Sequence, residues 1–499
     1  MQNILRRKIF SLSLFSVLNV FVMDSKQVLS IFDEITKIPR ESGHEEQITA
    51  YLLEFARKAG LKAKSDDAGN VVIIKEAAPG MEGRPTIVLQ SHSDMVCEKN
   101  EGVDHDFSKD PIKYEIEDGW LIAKDTTLGA DCGIGMAAQL AVITSDDLKL
   151  GRIEALFTVS EETGLFGAKA LKPGFITGKI LINLDSEDEG ELFVGCAGGV
   201  DTTARIPYVP VDTCPSGKAY LMKIAGGMGG HSGDDIDKGR ANAVQLLARV
   251  LYSFRDMDFQ LCSFTGGNKR NAIAREASAV VVLDESLAAT LKSRFEESVS
   301  GIKSEYAVSD PGLYGVFEAV DKPLKAMDAC ASRRLIASLA AAPHGVLAMS
   351  ADIKGLVETS TNLASVKLEN EGLVRIGTSQ RSSITSARKA AADKVEAVFS
   401  LAGASVTHEA EYPGWKPDMD SALLAHCEAS YKRLFRKAPV VRAIHAGLEC
   451  GLFLDIYPDL DMISFGPTLR GVHAPGERLD LASLDRFVAF LKDVLENYE

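Results

Sequence analysis

The chain has 499 residues, 46% of them hydrophobic and 25% charged, which is the composition of a soluble globular protein. This length predicts two or three domains rather than a single core. The formal net charge of -15 argues against a nucleic-acid partner, because such binding requires a basic surface.

An amino-terminal extension, residues 1–23, precedes the first helical pattern. Its residues 6–8 are basic and precede an apolar run, Ile9 to Val22, which is typical of a signal peptide but short for a membrane span. Two interpretations remain: the extension exports the protein, or translation begins at Met23 and the protein is cytoplasmic. Eight cysteines without a Cys-x-x-Cys pair are typical of reduced thiols, and we expect a cytoplasmic protein that makes no membrane contact.

Helix and strand patterns alternate from residue 24 to residue 198. Apolar residues from Val28 to Ala59 recur at helical spacing on both sides of a break at Pro39 to Gly43, and Ile134 to Ile143 predicts a further helix. Short apolar runs predict strands at Val71 to Ile74, Thr86 to Leu89, Glu154 to Ser160 and Lys179 to Leu184. This alternation predicts an α/β sheet with helices on its faces.

A glycine-rich segment, Gly195 to Gly199, predicts a hinge at which a second domain begins. The block beyond it predicts strands at Ala219 to Ile224 and Ala279 to Leu283, and helices at Ala241 to Phe254 and Ser286 to Tyr306. Similar elements recur through Ile384 to Leu401. After Gly403 the α/β pattern resumes, with predicted elements near Val440 to Ile444, Met462 to Phe465 and Leu484 to Leu495. We therefore predict one α/β domain made of residues 24–198 and 402–499, with a second domain inserted at residues 199–401.

The predicted strand that begins at Thr86 ends in a histidine and an aspartate two residues apart, His92 and Asp94. Residues i and i+2 of an extended chain point to the same side, so His92 can bind a metal ion while Asp94 orients the imidazole. Taken alone, the pair is also compatible with a hydrogen-bonded structural histidine.

Further polar residues stand where other strands end. Asp131 lies in a glycine-rich turn that opens a helix, Glu161 and Glu162 follow a strand, Asp185 ends one, and His473 lies in a loop after another. The structural alternatives are a helix N-cap for Asp131 and solvated surface charges for the others. The glycine spacing fits neither the dinucleotide fingerprint nor a P-loop. Carboxylates and imidazoles at the carboxyl edge of an α/β sheet favour a pair of zinc, cobalt or manganese ions.

Eight stretches of the chain carry a resemblance to a known family. They are His92–Val96, Thr126–Asp131, Ser160–Glu162, Asn183–Ser186, Gly195–Gly199, Gly229–Gly233, Tyr412–Trp415 and His445–Gly451. From about Asp24 to Glu499 the sequence resembles the aminoacyl-histidine dipeptidases, also described as cytosol nonspecific dipeptidases, of the zinc-dependent aminoacylase and carboxypeptidase superfamily. The resemblance implies a mixed-sheet metallopeptidase catalytic domain with an inserted α+β lid and dimerisation domain.

The resemblance also implies two divalent metal ions, zinc first, with cobalt or manganese as alternatives. It implies that His92 and Asp185 hold one ion, that Glu162 and His473 hold the other, and that Asp131 bridges them.

Other roles follow from the same resemblance. Asp94 supports His92, and Glu161 is the general base that takes a proton from the water between the metals. His231 reaches the active site of the partner in a homodimer and stabilises the oxyanion, although an exposed histidine in a glycine-rich turn is the structural alternative. Asn271 and Arg381 bind substrate, the arginine by pairing with a free carboxylate.

The implied function is hydrolysis of the peptide bond of unblocked dipeptides. A preference for Xaa-His stays open, because Arg470 lies close before His473 where the family more often has small apolar residues. A second departure is Cys132, a thiol directly after Asp131. The alternatives are an N-acyl amino acid hydrolase or tripeptidase of the same superfamily, and a non-catalytic peptide-binding protein on the same fold.

Overall fold

The computed structural model describes residues 22–370 and 372–499. The predicted amino-terminal extension therefore lies outside the described residues, except for its last two positions. The chain divides into two compact units. The first comprises residues 22–190, 425–438 and 464–499, and the second comprises Glu191–Leu424 and Pro439–Ile463. None of the helices in the described part of the chain is both long and apolar enough to span a bilayer.

The described residues form eleven α-helices and one short 3-10 turn at Glu285–Leu287. The α-helices are α1 Ser25–Ile35, α2 Glu46–Lys58, α3 Ala130–Thr144, α4 Phe166–Ala170, α5 Ala243–Ser253, α6 Ala288–Glu305, α7 Ala329–Ala341, α8 Thr385–Leu401, α9 Ala422–Phe435, α10 Glu449–Ile456 and α11 Leu481–Asn497.

The same residues form 23 strands. They are β1 Lys62–Ser65, β2 Val71–Lys75, β3 Ile87–His92, β4 Tyr114–Glu117, β5 Trp120–Ala123, β6 Ile153–Thr158, β7 Ile180–Asn183, β8 Glu191–Cys196, β9 Gly198–Pro207, β10 Pro210–Asp212, β11 Lys218–Ala225, β12 Gln260–Gly266, β13 Ala277–Leu283, β14 Tyr314–Val320, β15 Lys325–Met327, β16 Gly345–Met349, β17 Val357–Asn370, β18 Leu373–Ser382, β19 Ser405–Tyr412, β20 Val440–Ile444, β21 Asp461–Ser464, β22 Leu469–Arg470 and β23 Arg478–Asp480.

The first unit is built on a mixed sheet in which β1, β2, β6, β3 and β7 lie side by side in that order. β2 is antiparallel to both of its neighbours, whereas β3 is parallel to both β6 and β7. Every residue of β3, β6 and β7 is buried, which is typical of parallel strands covered on both faces. The predicted α/β fold with a mixed sheet is confirmed.

Capping residues and apolar periodicity define the helices at the two ends of this unit. Asp24 accepts a hydrogen bond from the backbone of Gln27 at the start of α1, and Asp480 accepts two at the start of α11. The apolar face of α1 consists of Val28, Ile31, Phe32 and Ile35, all buried and at positions i, i+3, i+4 and i+7 of the helix.

The second unit contains a large antiparallel sheet in the order β14, β11, β13, β12, β17, β18, β9 and β19, with β16 paired to β17. Its core contains Leu247, Phe254 and Phe264, none of which is exposed to solvent. The segment Gly195 to Gly199, predicted as a hinge, contains the last two residues of β8, the single residue Ala197 and the first two residues of β9.

The three parallel strands of the first unit decide where its polar residues meet. β3 ends at His92, β6 ends three residues before Glu161, and β7 ends two residues before Asp185. Because parallel strands end at the same edge of a sheet, these side chains lie close together at the carboxyl edge of this one.

Candidate active site

The first group of converging side chains surrounds the imidazole of His92. Its Nε2 atom lies 3.1 Å from Oδ1 of Asp131 and 3.2 Å from Oδ1 of Asp185. The imidazole is almost fully buried at 1% exposure, and the Asp185 side chain is 9% exposed. This group combines one nitrogen and two carboxylate oxygens in a buried place.

The second group surrounds His473, in the loop between β22 and β23. Its Nε2 atom lies 3.2 Å from Oδ2 of Asp131 and 2.9 Å from Oε1 of Glu162. Half of the His473 side chain is exposed. The two oxygens of the Asp131 carboxylate therefore face two different imidazoles, which is the arrangement that a bridging ligand requires.

Local backbone geometry turns Asp131 towards both groups. Asp131 and Cys132 have non-helical dihedral angles at the start of α3. The N-cap position is Gly129, which has no side chain, so Asp131 is not the N-cap of this helix. Its carboxylate lies beside the imidazoles instead.

Carboxylates outnumber imidazoles in the two groups, since Asp131, Asp185 and Glu162 surround His92 and His473. Burial raises the pKa of Asp185 to about 6, and its Oδ1 atom is buried without a well-formed hydrogen bond. Hydrogen bonds with Asp131 and Glu162 raise the pKa of His473 to about 11, because the surrounding carboxylates favour a positive charge there.

This donor set fits divalent metal ions. The ligand atoms of Asp131, Glu162 and His473 lie within 4.8 Å of one another, as do those of His92, Glu161 and Glu162. Imidazole and carboxylate ligands suit zinc, cobalt and manganese. A divalent cation bound in each group would offset the negative charge of these carboxylates.

Cys132 belongs to the surroundings of the first group, since its Sγ atom lies within 4.8 Å of ligand atoms of His92 and Asp185. The thiol donates to the carbonyl oxygen of Leu184 at 3.3 Å, and burial raises its pKa well above the ordinary value. A thiol binds metals as the thiolate, so this hydrogen-bonded thiol is a poorer ligand than the carboxylates beside it.

Asp94 connects His92 with the two glutamates. Oδ1 lies 3.3 Å from Nδ1 of His92 and accepts the backbone N–H of Glu161 at 3.0 Å, while Oδ2 accepts from Ser42 at 2.7 Å and from the N–H of Glu162 at 3.3 Å. Burial opposes ionisation, yet hydrogen bonds with His92 and Ser42 lower the pKa of Asp94 to about 2. Asp94 therefore stays ionised and orients the imidazole.

Sequence reasoning missed two buried charged residues beside this site, Arg40 and Glu477. Both are 2% exposed, and both hydrogen-bond with the backbone of segments that carry the candidate ligands. Arg40 lies in the break between the first two helices, and Glu477 follows His473 by four residues. Neither position lies within a run of apolar residues that would signal burial.

The remaining predicted residues lie in the second unit. His231 pairs with Asp234 at 3.3 Å, and the backbone carbonyl of Asn271 accepts from the N–H of Ser232 at 2.9 Å, so both occupy one turn region. Nη1 of Arg381, on β18, donates to the hydroxyl of Tyr412 at 3.2 Å, and its Nε is buried without a hydrogen bond.

His445, which we did not predict as a site residue, also lies in the second unit. Its Nε2 atom lies 2.7 Å from Oγ of Ser360. Burial, aided by the positive charge of Arg381, lowers the pKa of His445 to about 4. The imidazole is therefore neutral near pH 7.

Comparison with known proteins places this chain in a family. The profile of peptidase family M20/M25/M40 matches residues 88–497. The cytosol non-specific dipeptidase of Escherichia coli K12 is 40% identical over 468 residues, which cover 93% of this chain and 96% of that protein. The crystal structure of aminoacylhistidine dipeptidase from Vibrio alginolyticus superposes with a TM-score of 0.91 at 39% identity, covering 96% of this chain and 98% of that one.

More distant structures share the fold. Aminopeptidase PepT from Bacillus cereus superposes with a TM-score of 0.56 at 17% identity over 95% of this chain and 98% of that one. The profile match and the Escherichia coli relative each extend over most of the sequence. The chain therefore belongs to peptidase family M20/M25/M40.

Proposed function

We propose that the protein is a metal-dependent dipeptidase that hydrolyses the peptide bond of unblocked dipeptides at the site between His92 and His473. The observation that carries this proposal is the Asp131 carboxylate, whose two oxygens lie 3.1 Å and 3.2 Å from imidazole nitrogens of two separate groups. The names of the Escherichia coli and Vibrio alginolyticus relatives, both dipeptidases, support this substrate class.

Two zinc ions are the proposed cofactors, with cobalt or manganese able to replace them. His92 and Asp185 would hold one ion, Glu162 and His473 the other, and Asp131 would contact both. When bound, such ions polarise the substrate carbonyl and lower the pKa of water.

Glu161 is the proposed general base. Its backbone N–H donates to Asp94, and one of its carboxylate oxygens lies within 4.8 Å of ligand atoms of His92 and Glu162. From there Glu161 can take a proton from the attacking water and pass it to the leaving amine. Asp94 holds the backbone of Glu161 in place through this hydrogen bond.

Recognition of the substrate carboxylate is assigned to the second unit. Arg381 has a buried Nε without a hydrogen bond, so its guanidinium keeps a donor for an anion. Asn271 and His231 lie together in one turn region, where the amide can bind substrate and the imidazole can stabilise the oxyanion. We propose that the protein is a homodimer in which His231 serves the partner's active site, which sedimentation equilibrium can test.

We also propose a cytoplasmic location. The Escherichia coli relative is named as a cytosolic enzyme, and the eight cysteines of this chain are all free thiols. Reduced thiols are typical of the cytosol. Fractionation of cells that express the full sequence tests this location.

The decisive experiment measures hydrolysis of free dipeptides, including Xaa-His, beside free tripeptides and N-acetyl amino acids. We expect activity on free dipeptides that disappears on chelation and returns with zinc, cobalt or manganese. Exclusive hydrolysis of acetylated substrates would instead identify an N-acyl amino acid hydrolase, and preference for tripeptides would identify a tripeptidase.

Two histidine variants of the first unit sharpen this test. His473→Gln removes a proposed metal ligand. The control, His426→Gln, removes an imidazole on α9 whose Nε2 atom lies 3.2 Å from the carbonyl oxygen of Val494. We expect only the first variant to lose metal and activity. Equal activity of both variants would contradict the assigned site.

A further inference from the structure

The carboxylate of Glu477 is bound by the backbone of the segment that carries Asp131. Oε2 accepts the N–H groups of Leu128 and Gly129 at 2.8 Å and 2.9 Å, and Oε1 accepts those of Ala130 and Asp131 at 2.8 Å and 3.3 Å. Four consecutive N–H groups thus point at one buried carboxylate. Charge-assisted bonds of this kind are among the stronger hydrogen bonds of proteins.

Glu477 also fixes the loop that carries His473. Its N–H donates to the carbonyl of Ala474 at 3.1 Å, and its carbonyl accepts from the N–H of Ala123 at 2.9 Å. The neighbouring N–H of Gly476 donates to the carbonyl of Thr126 at 3.0 Å. One residue therefore connects the His473 loop with the Asp131 turn.

Arg40 binds the same turn through a backbone carbonyl, whereas Glu477 binds it through the N–H groups. Its guanidinium donates to the carbonyl of Gly129, and Nη1 donates to the carbonyl of Asp94 at 2.8 Å. The N–H of Gly129 goes to Glu477 and its carbonyl goes to Arg40. Gly129 has a φ of 66°, a conformation that favours glycine, and Arg40 occupies the space that a side chain would need.

Burial of these two charges has a cost that backbone hydrogen bonds must offset. Removing an ion from water costs several kcal/mol even after relaxation. An apolar pair would pack these loops without that cost, but it would not hold individual N–H and C=O groups in place. The charges thus fix the positions of the His92–Asp94 segment, the Asp131 turn and the His473 loop.

We propose that Arg40 and Glu477 are positioning residues that set the separation of Asp131 from the two metal-binding histidines. This inference rests on the proposed function, because it presupposes two bound ions. It predicts unequal effects on the two ions. His92 is the last residue of β3 and Asp185 follows β7, whereas His473 is held by a loop that Glu477 connects to Asp131. Loss of the Glu477 charge weakens the binding of the ion at His473 and Glu162 more than the binding of the ion at His92 and Asp185.

Glu477→Gln is the test variant because it keeps the size of the side chain. Its NH2 group must face backbone N–H donors that now meet a carboxylate oxygen. The matched control is Glu154→Gln. Glu154 is 1% exposed and accepts the N–H groups of Thr177 and Gly178 at 2.7 Å and 3.1 Å, at the start of β6 and outside the site. Both variants lose a buried carboxylate that binds backbone N–H groups.

The full-length zinc-loaded protein is dialysed against zinc buffers of graded strength, and the zinc that remains on each chain is counted by atomic emission. We expect Glu477→Gln to release one ion at roughly 10–100-fold higher free zinc than the parent protein, the range for residues that orient metal ligands. Glu154→Gln should follow the parent curve, although its free energy of unfolding falls.

Three results would overturn the inference. The first is a Glu477→Gln protein that keeps both ions at the parent concentrations, and the second is equal zinc loss from Glu154→Gln. If Glu477→Gln does not fold, Arg40→Lys is measured instead. The third overturning result is an Arg40→Lys protein that retains zinc as the parent does. A parent protein that never holds two ions defeats the proposed function and the inference with it. A parent with two ions and an unaffected variant defeats the inference alone.

Discussion

Asp94→Asn removes one charge from the residue that connects His92 with Glu161 and Glu162. The carboxylate meets a group on each of four sides: Nδ1 of His92, the hydroxyl of Ser42 and two backbone N–H groups. An asparagine has only one acceptor oxygen. Whichever way the amide is turned, its NH2 group faces the N–H of Glu161 or of Glu162.

The cost of this change can be worked from the contacts. A buried donor left without an acceptor costs about 1–3 kcal/mol. Since about 1.4 kcal/mol corresponds to a factor of ten, this energy amounts to roughly 5–150-fold in a binding constant. The range overlaps the roughly 10–100-fold loss of metal affinity seen when residues that orient metal ligands are replaced. We therefore expect Asp94→Asn to hold the ion at His92 about 10–100-fold less tightly.

Zinc retention in graded zinc buffers and kcat/KM for a free dipeptide together measure this effect. Asp66→Asn is the control, because Asp66 accepts the N–H groups of Ala68 and Asn70, both at 3.0 Å, in a loop outside the site. We expect the control to retain zinc as the parent does. An Asp94→Asn protein with the zinc retention and kcat/KM of the parent would refute the reasoning.

Further predictions concern catalysis, recognition and stability. Glu161→Gln should keep its zinc and KM but lose roughly two to four orders of magnitude in kcat, and a fully active variant would exclude Glu161 as the base. Arg381→Met should raise KM for a free dipeptide but leave KM for the corresponding dipeptide amide unchanged; an equal rise for both would remove the carboxylate role. Phe157→Ala, at a position with no solvent exposure on β6, should lower the free energy of unfolding by about 3–5 kcal/mol in a denaturant titration. Burial lowers the pKa of His344 from 6.5 to about 4. As the pH falls from 6.5 to 4, the imidazole is protonated in the unfolded chain but not in the folded protein, so the free energy of unfolding decreases over this range. His344→Gln should reduce that loss, by up to about 1.4 kcal/mol for each pKa unit, and an unchanged pH profile of unfolding would contradict this assignment.

The apolar periodicity of the sequence was sufficient to locate most elements of the first unit. Val71 to Ile74 and Lys179 to Leu184 correspond closely to β2 and β7, because parallel or central strands need continuous apolar runs. Short edge strands such as β4, whose residues are mostly exposed, carry no such run and were not predicted. The helix α7 was also not predicted.

Residue types and their places after strands were enough to nominate His92, Asp131, Glu162, Asp185 and His473. Their convergence was a prediction from the rule that parallel strands end at one edge. Distances of 2.9–3.2 Å among these side chains now support the proposed ligand set. The Asp131 carboxylate lies between the two imidazoles because its backbone departs from the helix, which local sequence did not reveal.

The sequence by itself determined the α/β class and the kinds of ligand atom available, since both depend on local spacing and residue chemistry. Only the tertiary structure decided that Arg40 and Glu477 are buried on either side of Gly129. The physical reason is that the burial of a charge depends on which distant segments cover it and supply hydrogen bonds. Thr126, Gly129 and Glu477 are separated by up to about 350 positions, and no periodicity in the chain records their contact.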